Sequence, residues 1–157
     1  MSAVTPAMKN FFSAQKYAVI GRVLSDRSRF DNKVLRWYQT RDFPVTAVRP
    51  DQPSEEIEGL QVLTDPLSIP DLSSTSISII IHPSKSLPIL KSLFPSPPSP
   101  NNEPHSVWFQ PGADDASIWE WVKERGLEGK VVGHGACVLR DGDGVLAEIG
   151  AGTKGRL

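Results

Sequence analysis

Cysteine and net charge are both nearly absent from this sequence. The 157 residues contain one cysteine, so no internal disulfide framework can form, and a reducing intracellular setting is expected. Lysine and arginine number 17 against 18 acidic residues, which leaves a net charge of -1. A balance this close to neutral gives no reason to expect nucleic acid or an anionic membrane as a partner.

Long hydrophobic runs are missing as well. The longest apolar run, residues 77–81, has the length of one strand and is far too short to cross a bilayer. The first residues lack an apolar region followed by a small-residue cleavage site, so no secretory signal is expected. We therefore expect a cytoplasmic protein.

The short motifs that mark catalytic and metal sites are also absent. The sequence has no G-x-S-x-G nucleophile elbow, no H-E-x-x-H, no P-loop and no pairs of cysteine and histidine at metal-binding spacing. No catalytic residue and no metal ligand is predicted, which favours a non-catalytic role.

Short apolar segments alternate with helical patterns along the chain. The segment SISIIIH at residues 76–82 is β-branched and almost continuously apolar, which indicates a strand buried on both faces. Strands that alternate with helices over short connections are typical of a parallel sheet. The sequence therefore predicts an α/β fold whose parallel sheet has about five strands, with helices on both faces. The predicted strands are residues 17–20, 44–48, 76–82, 105–109 and 130–133.

Capping residues predict where the helices between these strands begin. Ser28 and Asp31 have the spacing of a capping box before the first helix. Ser86 is expected to cap the second helix, and Asp114 or Asp115 the third. The ends of the chain are predicted to be irregular: a mobile segment at 1–10, and a glycine-rich tail at 142–157 that forms a hairpin or a loose extension. Between them, residues 11–141 form one domain that contains a proline-rich surface insert at 95–104.

The loop after the first strand is the strongest candidate for a ligand site. Ligands of open parallel sheets bind at the carboxyl ends of the strands, and a helix start leaves unpaired backbone N–H groups that bind phosphate. This loop carries Arg22 and Arg27, with Arg29 close behind. Guanidinium groups match phosphate oxygens, so these arginines are candidates for a phosphate clamp, solvated loop charges being the alternative.

A nicotinamide dinucleotide is the first ligand to consider for such a loop. Its fingerprint G-x-G-x-x-G is not met, because Gly21 stands alone. The second strand is followed by Arg49 where NAD needs an acidic residue, and an arginine there suits a phosphorylated ribose. An NADP-dependent oxidoreductase stays open, although Tyr17 and Tyr38 both fall in elements that should be packed.

A set of six motifs follows in order: AVIGRVLSDRSRFDNKVLRWY, VTAVRPD, GLQVLTDPLSIPD, SIIIHPSKSLPILK, VWFQPGADD and a glycine-flanked Cys137. Together they resemble the coenzyme A-binding domain family over residues 11–141. These are small, single-domain, Rossmann-like proteins similar to the N-terminal domain of the succinyl-CoA synthetase α subunit. The resemblance implies a single Rossmann-like domain that binds coenzyme A (CoA) or an acyl-CoA.

The resemblance also implies a site residue by residue. Arg49 is the candidate partner of the ligand's 3′-phosphate. The implied residues are Gly21, Arg22, Val23 and Ser25 at the phosphates, Arg49 and Pro50 at the adenosine, Ile81, His82 and Pro83 beside the nucleotide, and Gln110 and Gly112 near the pantetheine.

Cys137 is placed near the same crevice by the resemblance. Its thiol could form a mixed disulfide with the thiol of the ligand, and the alternative is a buried, inert cysteine. We expect a non-catalytic module that binds a small nucleotide ligand. Besides the NADP-dependent oxidoreductase, a protein-interaction domain with a vestigial crevice stays open, as does a homodimer or another protein partner.

Overall fold

A parallel sheet of six strands forms the centre of the computed structural model, which describes residues 4–22, 24–50 and 56–154. The strand order is β3-β2-β1-β4-β5-β6, and every neighbouring pair is parallel. The predicted α/β class is confirmed, with one strand more than expected because the short β3 pairs with β2. The strands are β1 Lys16–Gly21, β2 Val45–Val48, β3 Val62–Leu63, β4 Thr75–Ile80, β5 Ser106–Phe109 and β6 Val131–Val132.

Helices cover both faces of this sheet, as predicted. One face is covered by α1 (Pro6–Phe11), α2 (Phe30–Gln39) and α5 (Val138–Lys154). The other is covered by α3 (Pro83–Leu93) and α4 (Ala116–Glu124). Within the described part of the chain, no helix is both long and apolar enough to span a membrane.

The central strand β4 explains how the two faces differ. Its isoleucines Ile77 and Ile79 point into a mainly aliphatic core on the α3–α4 side, which also holds Phe94 and Phe109. Its serines point to the other side, where the Ser76 hydroxyl donates to the Phe11 carbonyl at 2.7 Å and the Ser78 hydroxyl lies 2.8 Å from that of Tyr38. Small serine side chains leave room there for a cluster of aromatic rings. We call this side the aromatic face.

The expectation of a hairpin or loose tail is wrong for residues 142–154, because they belong to α5. Each glycine in a helix costs about 1 kcal/mol relative to alanine, which made this segment look irregular. Packing onto the aromatic face outweighs that cost. Val138 and Val145 are fully buried there, and Gly142 lies directly against the indole of Trp37.

The expectation of a mobile start is also wrong for residues 6–10. They form most of α1, whose first turn is capped by the Thr5 hydroxyl accepting the Met8 N–H at 3.2 Å. Met8 and Phe11 are buried beneath this helix. Burial of these two side chains fixes a segment that is too short to be a stable helix by itself.

Two of the predicted helix caps are wrong and one is right. Arg29 holds the N-cap position of α2, while the Ser28 hydroxyl donates to Asp26 at 2.6 Å and takes no part in the cap. The N-cap of α3 is His82 rather than Ser86. Asp115 caps α4 as predicted, because its carboxylate accepts the Ile118 N–H at 3.1 Å.

Candidate ligand-binding site

A cleft of about 530 Å³ lies at the carboxyl ends of the central strands. Strands β1 and β4 are neighbours from which the strand order runs in opposite directions, and ligands of open α/β sheets bind at such a reversal. The cleft is therefore where the topology alone would place a ligand. Its lining residues are Arg22, Arg29, Phe30, Asp31, Ile80, Ile81, His82, Pro111, Gly112 and Ala113.

A smaller and more apolar cavity of about 60 Å³ adjoins this cleft. The two share Arg22, Ile81 and His82 as lining residues. Pro50 and Ile89 add apolar surface to the smaller one. The pair of cavities offers a charged region next to an apolar one, an arrangement that suits a ligand with both kinds of group.

The guanidinium groups of Arg22 and Arg29 are the positive charges of the cleft. Both side chains are exposed, and neither guanidinium has a hydrogen bond or ion pair with another residue that the structure describes. Other arginines of the chain are engaged by protein acceptors: Arg27 by Glu58, Arg36 by Asn32, Arg41 by Asp143, Arg125 by the Phe94 carbonyl and Arg140 by Asp141.

A carboxylate lies at the inner wall of the same cleft. Asp31 is 3% exposed, and its two oxygens accept the backbone N–H of Arg22 at 3.0 Å and that of Asn32 at 3.1 Å. A Cβ added to Gly21 would lie 2.9 Å from both the Cβ and an oxygen of Asp31. Position 21 therefore has to be glycine for the Asp31 carboxylate to reach the end of β1.

His82 follows the end of β4 by two residues and is the N-cap of α3. Its Nδ1 accepts the Ser84 N–H at 3.1 Å, so in the neutral ring the proton is on Nε2. The imidazole is exposed and lines both cavities. An Nε2–H at this position is available to an acceptor of a ligand.

Gln110 and Cys137 are not among the residues that line the cleft; they follow β5 and β6 in the chain. The Gln110 side chain is fully buried and its carbonyl oxygen accepts the Val138 N–H, the first of α5, at 2.8 Å. Its Nε2 has no acceptor among the described residues. Cys137 is 8% exposed, and its backbone N–H donates to Asp141 at 2.9 Å. These contacts attach α5 to the carboxyl end of the sheet.

The residues expected to form the site are partly brought together. Four of them, Arg22, Ile81, His82 and Gly112, line the cleft, and Pro50 lines the adjoining cavity. Val23 lies outside the described residues. Those that line neither cavity are Gly21, Ser25, Arg49, Pro83, Gln110 and Cys137.

Several lining residues were absent from the set that the sequence predicted. The sequence predicts Asp31 as part of a capping box, and Arg29 as one of three arginines in a candidate phosphate clamp. The position of Arg29 directly before a helix start was the one signal that could have singled it out. Among the described residues, no group of three or more histidine, cysteine, aspartate or glutamate side chains could hold a metal ion.

The two tyrosines of the sequence are both in the core. Burial raises the pKa of Tyr17 to about 12 and raises that of Tyr38 as well. The Tyr38 hydroxyl is bonded to Ser78, and the Tyr17 hydroxyl donates to the Ala14 carbonyl at 3.3 Å. Neither tyrosine can serve as the proton donor of a reductase in this cleft.

Solved structures of similar fold come from several sources. A hypothetical protein from Pyrococcus horikoshii OT3 is 20% identical with a TM-score of 0.71, over 92% of this chain and 94% of that one. A protein from Thermus thermophilus is 22% identical with a TM-score of 0.67, over 87% and 93%. A protein redesigned for binding is 21% identical with a TM-score of 0.70, over 93% and 95%. These likenesses show a shared fold.

The comparison of sequences identifies a family and no individual protein. No curated protein sequence matches the chain significantly. The family described as "CoA binding domain" matches residues 15–142, a region that includes all six strands and the whole cleft lining. The chain therefore belongs to the CoA-binding domain family.

Proposed function

We propose that this chain binds CoA or an acyl-CoA across the carboxyl ends of its strands and acts as a non-catalytic binding or regulatory module. The observation that carries the proposal is the pair of exposed guanidinium groups, Arg22 and Arg29, which line the cleft at the strand-order reversal and have no hydrogen-bond or ion-pair partner among the described residues. Membership of the CoA-binding domain family supports the same ligand class.

Phosphate recognition is the first step of the proposal. CoA carries a pyrophosphate and a 3′-phosphate, and guanidinium groups form paired, charge-assisted hydrogen bonds with phosphate oxygens. The chain as a whole is close to neutral, so its attraction for such a ligand depends on local charge. Arg22 and Arg29 supply that charge, and neither has to break a hydrogen bond or ion pair with a described residue to do so.

The adenine of the ligand is assigned to the smaller, apolar cavity, and its pantetheine arm to the part of the cleft that follows β5. Pro50, Ile81 and Ile89 offer an apolar surface for the adenine. Gly112, whose φ of +90° bends the backbone after β5, lies beside Pro111 and leaves an open path for the pantetheine arm. In this arrangement Cys137 and Gln110 would lie beyond the lining, near the far end of the arm.

The non-catalytic part of the proposal is supported by the residues of the cleft. Its titratable groups are two arginines, one carboxylate held by backbone N–H groups, and one histidine that caps a helix. The burial of both tyrosines counts against the NADP-dependent oxidoreductase. The cytoplasm stays the proposed compartment on the strength of the single cysteine.

Calorimetric titration tests the proposal directly. Reduced protein would be titrated with CoA and, in parallel, with NADP, NAD and ATP. We expect CoA to bind more tightly than the other three. Arg22→Ala and Arg29→Ala should each weaken CoA binding by about tenfold or more, because a hydrogen bond to a charged group contributes about 1.5–3 kcal/mol.

Arg27→Ala is the matched control. Arg27 lies in the same loop and has the same charge, but its guanidinium faces Glu58 at 3.4 Å and lies outside the cleft lining. Its loss should change CoA affinity by no more than about twofold, the effect of one screened surface charge. Equal losses in all three variants would mean that general charge, and not the cleft, attracts CoA. Binding of NADP in preference to CoA would contradict the proposal.

A further inference from the structure

We propose that Asp31 determines the ligand specificity of the cleft by filling, with its own carboxylate, the anion position between β1 and α2. This inference rests on the proposed function, since it concerns the same cleft. Asp31 is then a specificity-determining residue whose charge competes with ligand phosphates.

The contacts of Asp31 are those that a phosphate makes in this type of fold. In open α/β sheets, a ligand phosphate accepts N–H groups from the turn after the first strand and from the start of the following helix. Here the N–H of Arg22, in that turn, and the N–H of Asn32, in the first turn of α2, both donate to Asp31. The donors that would receive a phosphate are therefore occupied by a side chain of the protein.

Close packing holds the carboxylate in this position. Asp31 is 3% exposed and lies so near Gly21 that no Cβ would fit between them. Because the carboxylate is buried, solvent screens its charge poorly toward a neighbouring phosphate. A pyrophosphate is consequently kept out of the turn and must bind to the exposed guanidinium groups of Arg22 and Arg29.

This displacement affects nucleotides unequally. ADP and NAD share the adenine and the pyrophosphate with CoA but lack its 3′-phosphate and pantetheine arm, so the pyrophosphate accounts for a larger share of their contacts and its displacement weakens their binding more. CoA retains a 3′-phosphate and a pantetheine arm, which add independent contacts. Asp31 thus lowers the affinity for all pyrophosphate ligands and lowers that for ADP the most.

Asp31→Asn and Asp31→Gly test the inference, with ADP as the probe. We expect both variants to bind ADP about tenfold more tightly than the unmodified chain, equivalent to about 1.4 kcal/mol. The gain for CoA should be smaller, so that the preference for CoA over ADP decreases. If Asp31 only held the turn in shape, the same variants would lose affinity for both ligands, and that result would overturn the inference.

Asp26→Asn is the matched control. Asp26 lies in the loop that precedes α2, carries the same charge, and accepts hydrogen bonds from Ser28 instead of from Arg22 or Asn32, while it acts on the nearby Arg29 through charge alone. Its replacement should leave ADP affinity within about twofold, as expected for a screened surface charge. An equal gain in this control would assign the effect to general charge and refute a specific role of Asp31.

The test separates the two proposals. ADP binding that improves in both Asp31 variants, with no CoA binding in any protein, would support the role of Asp31 and refute the CoA proposal. CoA binding, with an ADP affinity that neither Asp31 variant raises, would support the CoA proposal and refute the role of Asp31. Circular dichroism would establish that the variants are folded. Loss of the fold in both variants would make Asp31 a structural clamp and refute its role in specificity.

Discussion

Replacing Gly142 with alanine should destabilise the protein, although alanine is the better helix former. A Cβ at position 142 would lie 2.4 Å from Cζ2 and 2.8 Å from Cη2 of the Trp37 indole. The indole cannot easily move away, because it is 5% exposed, lies 5.7 Å from the ring of Phe12 and has the Arg41 guanidinium 4.2 Å from its centroid. Forcing extra volume into such a site costs about 1–3 kcal/mol.

Gly144 provides the comparison that isolates this packing effect. It lies in the same helix, and a Cβ there would meet no atom within 4 Å. Gly144→Ala should therefore stabilise the fold by up to about 1 kcal/mol through helix propensity alone. The propensity gain is common to both substitutions, so the difference between them is the packing cost, for which we expect about 2 kcal/mol.

Urea and thermal unfolding of the two variants measure this difference. For a chain of this length, about 2 kcal/mol corresponds to roughly 4–8 °C in melting temperature. Gly142→Ala should melt below the unmodified protein and Gly144→Ala above it. Equal stability of the two alanine variants would refute the close contact between α5 and α2. It would also reopen the possibility that residues 142–154 are a loose extension.

Two further predictions concern a cap and the core. Asp115→Ala should cost about 1 kcal/mol in urea unfolding, because it removes the acceptor of the Ile118 N–H at the start of α4; an unchanged midpoint would contradict that cap. Stability should fall as the pH rises above about 10, since the unfolded chain loses the Tyr17 proton at its ordinary pKa of 10.0 while the folded chain keeps it to about 12. Tyr17→Phe should reduce this alkaline loss when unfolding is compared at about pH 9 and pH 11, and an undiminished loss would contradict the burial effect.

Five of the six strands were predictable because their signals are local. In β4, isoleucines alternate with small serines, a composition that fits burial on both faces. The helix α5 was not predictable by the same means. Its glycines count against a helix locally, and the contact between Gly142 and Trp37 that compensates them joins residues about a hundred positions apart in sequence.

The position of the cleft was predictable from the sequence, and its lining residues were less so. The order of strands and helices predicted a site at the carboxyl ends of the strands, with the loop after the first strand as the strongest candidate, and the cleft that lies there is lined by Arg22 and His82. The hydrogen bond from the Arg22 N–H to Asp31 could not be predicted, because the two residues become neighbours only when the turn after β1 closes. A capping box has the same residue spacing, so the sequence could not distinguish the two arrangements.

Helices α1 and α5 both pack on the aromatic face, so the stability of each depends on the other. The family match begins at residue 15 and ends at 142, so α1 and most of α5 lie outside it. Both nevertheless cover the aromatic face, and Lys9 of α1 lies 3.3 Å from Glu148 of α5. Opening either helix exposes part of the other's apolar contact surface. The backbone amides of the two helices should therefore exchange with deuterium as one cooperative unit, distinct from the central strands.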